Sequence, residues 1–380
     1  MDVSRRAEEV TSFLVMDILE EANRLSKEGM DIIHLEVGEP DFPTPQCVVD
    51  AAKKAMEEGK THYTHSLGLP ELRDAIAEHY KLSYHVRVDP NRILITSGSS
   101  PALMIAYAAI LDPGSDIIMS DPCYACYPNF ARIFSANVRS VPLKKGDMFQ
   151  LDPDDVIASV GGQTRAIMIN SPANPTGVIM DVDHMKAIAN IGPLVISDEI
   201  YHGLVYEGRE HTILEFTDNA IVINGFSKKY AMTGWRIGWM VLPEYLVRPA
   251  QKIQQNLMIC APSIAQWAAI AALRDAKDDV ERMRDTFAAR RKVMLEQMHV
   301  HGFNVEVVPT GAFYVLVSMK SISVDSYALA FDILRNTGVG VTPGIDFGRG
   351  AEGYIRFSYA ASSEDIVQGI DRVGGYIKSL

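Results

Sequence analysis

Short apolar runs alternate with longer amphipathic stretches through the middle of the chain. Seven such runs, rich in isoleucine and valine, occupy residues 92–96, 116–119, 138–141, 166–169, 194–197, 220–223 and 237–241. Near-continuous apolar runs of this length are typical of strands buried on both faces of a sheet. Because helical stretches separate the runs, the pattern predicts an α/β fold with a mostly parallel, seven-stranded sheet between helices.

The two ends of the chain have a different pattern. Helices are predicted over residues 7–27 and 48–58, from Pro70 onward, and over residues 276–298; further strands are predicted over residues 32–37, 305–308, 313–317, 338–341 and 354–358. The helix over residues 276–298 is long and highly charged, which suits a connector between domains. The strands beyond it alternate with helices, so we expect a smaller α+β unit there.

Composition and charge exclude several classes of protein. A chain of 380 residues that is 47% hydrophobic and 22% charged is typical of a folded two-domain protein. The net charge of −12 argues against a nucleic-acid partner. The longest uncharged apolar run, residues 102–111, is too short to span a membrane. The N-terminal residues do not resemble a secretory or transit peptide, so we expect a cytoplasmic protein.

Two short motifs match known patterns but lack the context that those patterns need. Cys123 and Cys126 form a C-x-x-C, yet the other cysteines are isolated and complete no zinc cage. We expect two reduced thiols in a loop, whereas a thioredoxin motif would open a helix after a strand. Residues 348–353 spell G-x-G-x-x-G, but a strand follows them instead of preceding them. The histidines show no metal-ligand spacing, so we predict no metal site.

A segment with two lysines and an arginine follows the apolar run at residues 220–223. Lys228 and Lys229 come at the end of a buried strand, between Phe226 and Met232. Poor solvation lowers the pKa of an amine and keeps it nucleophilic, which is the condition for Schiff-base chemistry. Ser227 adds a hydroxyl, and the planar guanidinium of Arg236 suits a phosphate. The alternative interpretation is two surface lysines and a structural arginine.

Other polar groups follow neighbouring strands. Asp198 comes at the end of the run at residues 194–197, with Tyr201 three residues beyond, and Asn174 lies in a turn rich in proline and glycine. Ser99 and Ser100 stand where a helix begins, and the backbone N–H groups of a helix N-terminus bind anions. Taken singly, each is a turn or a cap. Together they predict a ligand site at one edge of the sheet.

These motifs resemble those of the class I and II aminotransferases, the fold-type I pyridoxal-phosphate enzymes. The matching segments are residues 37–42, 174–177, 197–201, 227–228, 234–238 and 355–358, so the resemblance covers nearly the whole chain. It implies a large cofactor domain over residues 48–285 and a small domain assembled from residues 1–47 and 286–380. It also implies a homodimer with shared active sites, pyridoxal 5′-phosphate as cofactor, and transfer of an amino group from an L-amino acid to a 2-oxo acid, with 2-oxoglutarate as the expected acceptor.

The resemblance implies roles around the cofactor ring. Lys228, rather than Lys229, would form the internal aldimine and move the proton between the substrate Cα and the cofactor C4′. Asp198 would pair with the pyridine nitrogen and keep it protonated. Asn174 and Tyr201 would hydrogen-bond the ring oxygen O3′. The Tyr124 ring would stack on the cofactor.

It also implies how the anionic groups are held. The phosphate would lie against the backbone amides of Ser99 and Ser100 and the side chains of Ser227 and Arg236. Tyr63 would reach the phosphate of the neighbouring subunit. Arg356 would clamp the substrate α-carboxylate with two parallel hydrogen bonds, helped by the Gly38 backbone, and Tyr124 and Asn174 would complete the substrate site.

The amino donor and the reaction type remain open. In the aspartate-preferring bacterial subgroup a lysine binds the distal carboxylate, and Ser100 stands at that position here, which weakens an aspartate assignment. A pyridoxal-phosphate-dependent carbon–sulfur β-lyase would use the same cofactor residues. A pyridoxal-phosphate-sensing regulator is not expected, because such proteins carry a DNA-binding segment and the residues before the first strand are not basic enough.

Overall fold

The computed structural model describes residues 3–380 of the chain. Its α-helices are α1 (Arg5–Glu9), α2 (Leu14–Lys27), α3 (Gln46–Glu57), α4 (Pro70–Tyr84), α5 (Ser99–Ile110), α6 (Cys126–Ile133), α7 (Pro153–Ser159), α8 (Val182–Ala189), α9 (Glu244–Leu257), α10 (Ser263–Asp275), α11 (Lys277–His301), α12 (Ser326–Thr337) and α13 (Ser363–Ile377). Short 3₁₀ turns cover Pro90–Arg92, Lys145–Asp147, Ile213–Glu215, Thr233–Trp235, Gly344–Phe347 and Arg349–Ala351.

The strands form one large sheet and two small ones. They are β1 (Ile33–His34), β2 (Ile93–Thr96), β3 (Asp116–Asp121), β4 (Asn137–Pro142), β5 (Thr164–Asn170), β6 (Leu194–Asp198), β7 (Ala220–Gly225), β8 (Gly238–Val241), β9 (Tyr314–Ser318), β10 (Val339–Gly340), β11 (Thr342–Pro343) and β12 (Tyr354–Ser358). The large sheet has the order β2-β8-β7-β6-β5-β3-β4, and β8 runs antiparallel to both of its neighbours. The predicted seven-stranded, mostly parallel α/β sheet is confirmed.

Helices cover both faces of the large sheet. Ile93 and Ile95 of β2 belong to an apolar cluster that includes the buried side chains of α4 and α10, whereas Leu94 belongs to a cluster with α5 and α9. Side chains alternate between the two faces of a strand, so a run of consecutive apolar residues supplies both clusters. This is why the central strands read as unbroken apolar runs in the sequence.

The two ends of the chain meet in a smaller unit. β1 pairs in parallel with β10, and β9, β12 and β11 form an antiparallel sheet. A separate apolar cluster surrounds these strands, and α11 changes cluster between Met283 and Phe287. The domain limits at residues 48 and 285 stay a prediction, which this change of cluster supports.

The predicted strands at residues 32–37 and 338–341 form over only two residues each, Ile33–His34 and Val339–Gly340, and two further predictions are wrong. The predicted strand at residues 305–308 does not form, and only a single bridge joins Asn304 to Ser318. This segment is held instead by its side chains, since Glu306 accepts hydrogen bonds from Lys145 and Tyr354. The predicted helix over residues 7–27 is split into α1 and α2, because Thr11 bonds to another part of the chain instead of continuing the helix.

The cysteine prediction is correct for only one of the two thiols. All four cysteines are free, and Cys123 lies buried in the loop after β3. Cys126, however, is the first residue of α6 and not part of the loop. Burial raises the pKa of both thiols, which keeps them protonated and unreactive. Among helices within residues 3–380, none is long and apolar enough to cross a membrane.

Candidate active site

A cavity of about 300 Å³ opens at the carboxyl edge of the parallel strands, between the large sheet and the small unit. Eleven of the twelve site residues expected from the sequence line it: Gly38, Ser99, Ser100, Tyr124, Asn174, Asp198, Tyr201, Ser227, Lys228, Arg236 and Arg356. Tyr63 does not. Its side chain is 79% exposed and lies in a separate depression together with Ser97 and Cys260.

Lys228 enters the cavity from the turn after β7. Its Nζ donates a hydrogen bond to the Gly38 carbonyl oxygen and lies 5.9 Å from the centre of the Phe313 ring. Burial lowers the pKa of the amine to about 8, with Arg356 and Arg236 adding to the effect. A lysine in this state is much more often neutral at pH 7 than a free one, and a neutral amine is a nucleophile.

Asp198 is the last residue of β6 and is almost fully buried. Its Oδ2 accepts a hydrogen bond of 2.7 Å from the Tyr127 hydroxyl, and its Oδ1 accepts one of 3.1 Å from the Ile200 amide. Burial raises its pKa to about 6 against the pull of these two donors. A buried carboxylate is stabilised by a cationic partner, so this position suits a protonated ring nitrogen in the cavity.

The N-terminus of α5 and Arg236 form an anion cradle. Gly98, the residue before α5, has φ +104°, and no side chain of residues 3–380 caps the first N–H groups of the helix. A Cβ on Gly98 would lie 2.8 Å from Arg236 Nη2, so only glycine lets the guanidinium approach this helix end. Ser227 lines the same part of the cavity. Unpaired helix N–H groups beside a guanidinium suit a phosphate.

Arg356 lies buried on β12 at the opposite side of the cavity. Its Nη1 donates to Asn174 Oδ1 at 2.9 Å, and its Nη2 donates to the Glu36 carbonyl oxygen at 2.6 Å and to Thr342 Oγ1 at 3.1 Å. The guanidinium stacks over the Tyr314 ring, 4.2 Å from its centre. Within the described residues its buried Nε has no partner. A flat, fixed guanidinium with an unused donor is suited to a carboxylate.

Several residues that line the cavity were not predicted from the sequence, and three of them hydrogen-bond to predicted site residues through their side chains. Tyr127 donates to Asp198, Tyr314 shares a hydrogen bond of 2.8 Å with the Tyr201 hydroxyl, and Asn170 accepts one of 2.8 Å from the Asn174 amide. Tyr127 lies three residues after Tyr124, and Asn170 lies four residues before Asn174. Their closeness in sequence to predicted site residues could have identified both. Tyr314 had no such signal, because it reaches the site from the small unit.

The aromatic wall of the cavity includes Tyr124. Its ring meets the rings of Phe13 and Tyr127 edge-on, with centres 5.9 Å and 5.3 Å away. The side chain is therefore held on two sides and lines the cavity beside Asp198. Residues 3–380 contain no group of three or more histidine, cysteine, aspartate or glutamate side chains placed to hold a metal ion.

Comparisons with known proteins point to one family. The family model "Aminotransferase class I and II" matches residues 30–373. A (5-formylfuran-3-yl)methyl phosphate transaminase of Methanocaldococcus jannaschii is 42% identical over 380 residues, 99% of each chain. An aspartate aminotransferase of Pyrococcus horikoshii is 35% identical over 94% of this chain and 93% of that one. A solved Methanococcus jannaschii structure, described as similar in its active site to kynurenine aminotransferases, superposes with a TM-score of 0.92 at 40% identity, covering 99% of this chain and 100% of that one.

Proposed function

Since the chain belongs to the class I and II aminotransferases, we propose that it binds pyridoxal 5′-phosphate through Lys228 and works as an aminotransferase in the cavity described above. The donor is an L-amino acid and the acceptor a 2-oxo acid. The observation that carries the proposal is the arrangement of a lysine amine with a lowered pKa, a buried carboxylate and two guanidinium groups around one cavity. The β-lyase alternative finds no support in the names of the relatives.

The residues of the cavity fit the cofactor group by group. When bound, pyridoxal phosphate would supply an electrophilic carbon and a ring that accepts electrons from the substrate Cα. Asp198 would hold the proton on the ring nitrogen, with its own orientation set by Tyr127 and the Ile200 amide. The amides at the start of α5, with Ser227 and Arg236, would hold the phosphate. Asn174 and Tyr201 would face the ring oxygen, and Tyr124 would pack on the ring.

Lys228 and Arg356 would act on the substrate. The Arg356 guanidinium would bind the α-carboxylate and fix the direction of the Cα–H bond, since its own position is set by Asn174, Thr342 and the Glu36 carbonyl. Lys228 Nζ would take the proton from the substrate Cα and deliver it to the cofactor carbon C4′, on the other side of the substrate nitrogen. The hydrogen bond from Lys228 to the Gly38 carbonyl oxygen supports this role, because it orients the amine within the cavity.

We further propose a homodimer in which Tyr63 completes the partner's phosphate site. The exposed Tyr63 side chain lies outside its own cavity, which supports a role toward a second copy. The expected cytoplasmic location and the expected absence of nucleic-acid partners stay predictions from the sequence.

Substitution of Lys228 tests the proposed function, and the neighbouring Lys229 offers a matched control. The purified protein should absorb in the visible range, and borohydride should attach the cofactor to the peptide that contains Lys228. Lys228→Ala should lose at least about a thousandfold in turnover because it lacks both the amine and the base. Lys229→Ala should keep the colour and most of the activity. Full turnover in Lys228→Ala, or attachment at Lys229, would contradict the assignment.

A further inference from the structure

The first turns of α2 form one wall of the active-site cavity. Four side chains of this segment, which we call the α2 wall, line the cavity: Phe13, Val15, Met16 and Leu19. All four are apolar, and Phe13 packs edge-on against the Tyr124 ring. Met16 is 47% exposed, which is high for a methionine. An apolar side chain left open to solvent beside a ligand cavity is available for contact with a ligand.

Each cationic side chain of the cavity already has a proposed role. Three cations line it, namely Lys228, Arg236 and Arg356, and the proposed function uses them for the amine, the phosphate and the α-carboxylate. The lining residues within the described part of the chain include no fourth cation. Within one subunit, a second carboxylate on the substrate would therefore find no free cation in a cavity with an apolar wall. Placing an unpaired charge against apolar surface is unfavourable.

The α2 wall is held in place from the far end of the chain. Phe13 at the N-cap of α2 cannot cap the helix, and the Asp346 carboxylate takes over this function. It accepts hydrogen bonds of 3.0 Å from the Leu14 amide and 3.3 Å from the Val15 amide. A carboxylate at a helix N-terminus satisfies free N–H groups and interacts favourably with the helix dipole. Asp346 thus sets where the first turn of α2 lies.

A second contact fastens the segment just before α2. The amide and the hydroxyl of Thr11 both lie 3.2 Å from Asn129 Oδ1, on α6. The segment is thus tied to the large sheet's helices by Asn129 and to the small unit by Asp346. The position of the segment over the cavity depends on side chains distant in sequence. A change at either one can therefore move the wall while the groups proposed to hold the ring nitrogen and the phosphate stay in place.

We propose that the α2 wall selects the substrate side chain: it admits amino acids with uncharged, apolar side chains and disfavours aspartate and glutamate, and Asp346 is the positioning residue that holds it. The inference rests on the proposed function. Because one cavity receives donor and acceptor in turn, the same preference extends to the 2-oxo acid. Monocarboxylic 2-oxo acids thus replace 2-oxoglutarate, the acceptor expected from the sequence.

The preference is measured as kcat/KM for the donor half-reaction, followed by the change in cofactor absorbance. Leucine and phenylalanine should exceed aspartate and glutamate by at least about tenfold. Alanine, whose methyl group is too short to need the wall, serves as the reference donor. Equal or better use of aspartate would overturn the inference while leaving the aminotransferase intact. If no amino acid reacts, alanine included, the proposed function itself fails.

A charge placed on the α2 wall should reverse the selection. Met16→Arg adds a cation to a partly exposed position of the cavity lining, and we expect the aspartate-to-leucine ratio of kcat/KM to rise about tenfold. Asn23→Arg makes the same change of charge on an exposed position of the same helix, outside the cavity, and should leave the ratio unchanged. An equal rise in both variants would mean that net charge, and not the wall, controls the ratio.

Loss of the Asp346 contacts should affect long donors selectively. In Asp346→Ala we expect the leucine-to-alanine ratio of kcat/KM to fall about fivefold, with unchanged cofactor absorbance. Asp346→Asn keeps one accepting oxygen and should recover part of the ratio. Asp325→Ala removes a similar carboxylate cap, from α12, where Oδ1 accepts the Ala328 amide at 2.9 Å. That control should leave the ratio unchanged. A uniform fall for all donors in Asp346→Ala would assign Asp346 a purely structural role.

Discussion

Burial shifts the pKa values of Lys228 and Asp198 in opposite directions, and both shifts have the same physical cause. Removing water disfavours whichever form is charged, so the pKa of the amine falls to about 8 and that of the carboxyl group rises to about 6. Between these values the amine is mostly protonated and the carboxyl group mostly ionised. A bound cation beside Asp198 would lower its pKa again and stabilise the charged form.

The lowered pKa of Lys228 predicts how cofactor uptake depends on pH. Only the neutral amine attacks a carbonyl carbon, and this form makes up about one tenth of a group with pKa 8 at pH 7. The rate of pyridoxal phosphate incorporation into the cofactor-free protein should rise about tenfold from pH 6 to pH 7 and level off above pH 8. Stopped-flow absorbance measures it. A rate that still climbs steeply at pH 9.5 would mean that the amine keeps the pKa of a free lysine.

Substitution of Asp198 separates its charge from its hydrogen bonds. Asp198→Asn keeps an oxygen for one of the donors, Tyr127 or the Ile200 amide, but removes the charge, and we expect kcat to fall at least about a hundredfold while the cofactor still binds. Glu199→Gln is the matched control. Glu199 is also buried and has a pKa raised to about 8, so it is mostly neutral at pH 7 and its amide should retain kcat within about twofold. Similar losses in both variants would contradict the role of the Asp198 charge.

At the scale of elements, the strand order brings the site together. β5 and β6 are neighbours in the sheet with Asn170 paired to Asp198, and Asn170 Nδ2 donates to the Asp198 carbonyl oxygen at 2.9 Å. The carboxyl ends of parallel strands share one edge, so the loops after β5, β6 and β7 meet there. The antiparallel β8 lies between β7 and β2, which places the start of α5 beside the turn that carries Lys228.

The helix start at Gly98 should tolerate no side chain without loss of phosphate binding. Gly98→Ala would strain the backbone at φ +104° and displace Arg236, and we expect pyridoxal phosphate to bind about tenfold more weakly. Gly29→Ala is the control: it introduces a similar backbone strain at φ +97°, but its added Cβ would have no atom of the described residues within 4 Å. Both variants should lose about 1 kcal/mol of stability in thermal unfolding. Only Gly98→Ala should show weaker cofactor binding; unchanged binding would argue against the cradle.

At the scale of the whole molecule, both chain ends contribute to one site. Gly38 follows β1, which pairs with β10, and Arg356 lies on β12. A truncation at either end would therefore remove both a strand of the small unit and a wall of the cavity. The proposed dimer extends the same principle to a second copy through Tyr63.

Complementation between two impaired variants tests the shared site. Tyr63→Ala and Lys228→Ala should each be impaired, the second much more. In a mixed dimer, one site would combine the intact Lys228 of one subunit with the intact Tyr63 of the other. After unfolding and refolding of an equal mixture, about a quarter of the sites should have wild-type activity. Activity no greater than the average of the two variants, or a monomer in sedimentation, would contradict the proposal.

The sequence alone determined the central sheet and the residues nearest to the proposed chemistry. The apolar runs predicted all seven strands, because a strand buried on both faces needs apolar residues at consecutive positions. Lys228, Asp198 and Arg236 were found for a similar reason, since each stands in a short motif next to a strand. The errors occurred where distant contacts override local pattern: Thr11 bonds to Asn129 and divides a predicted helix, and Glu306 replaces a predicted strand with side-chain contacts.

The surroundings of those residues depend on contacts between distant segments, which local sequence does not reveal. Tyr314 at Tyr201, the Glu36 carbonyl at Arg356 and Asp346 at the start of α2 all join segments more than a hundred residues apart. No periodicity or motif predicts such pairs, because nothing in the neighbouring sequence of either residue indicates its distant partner. The pKa values of Lys228 and Asp198 likewise depend on how completely the assembled fold excludes water from them. Local pattern specified the chemical groups, and packing between distant segments specified their environment.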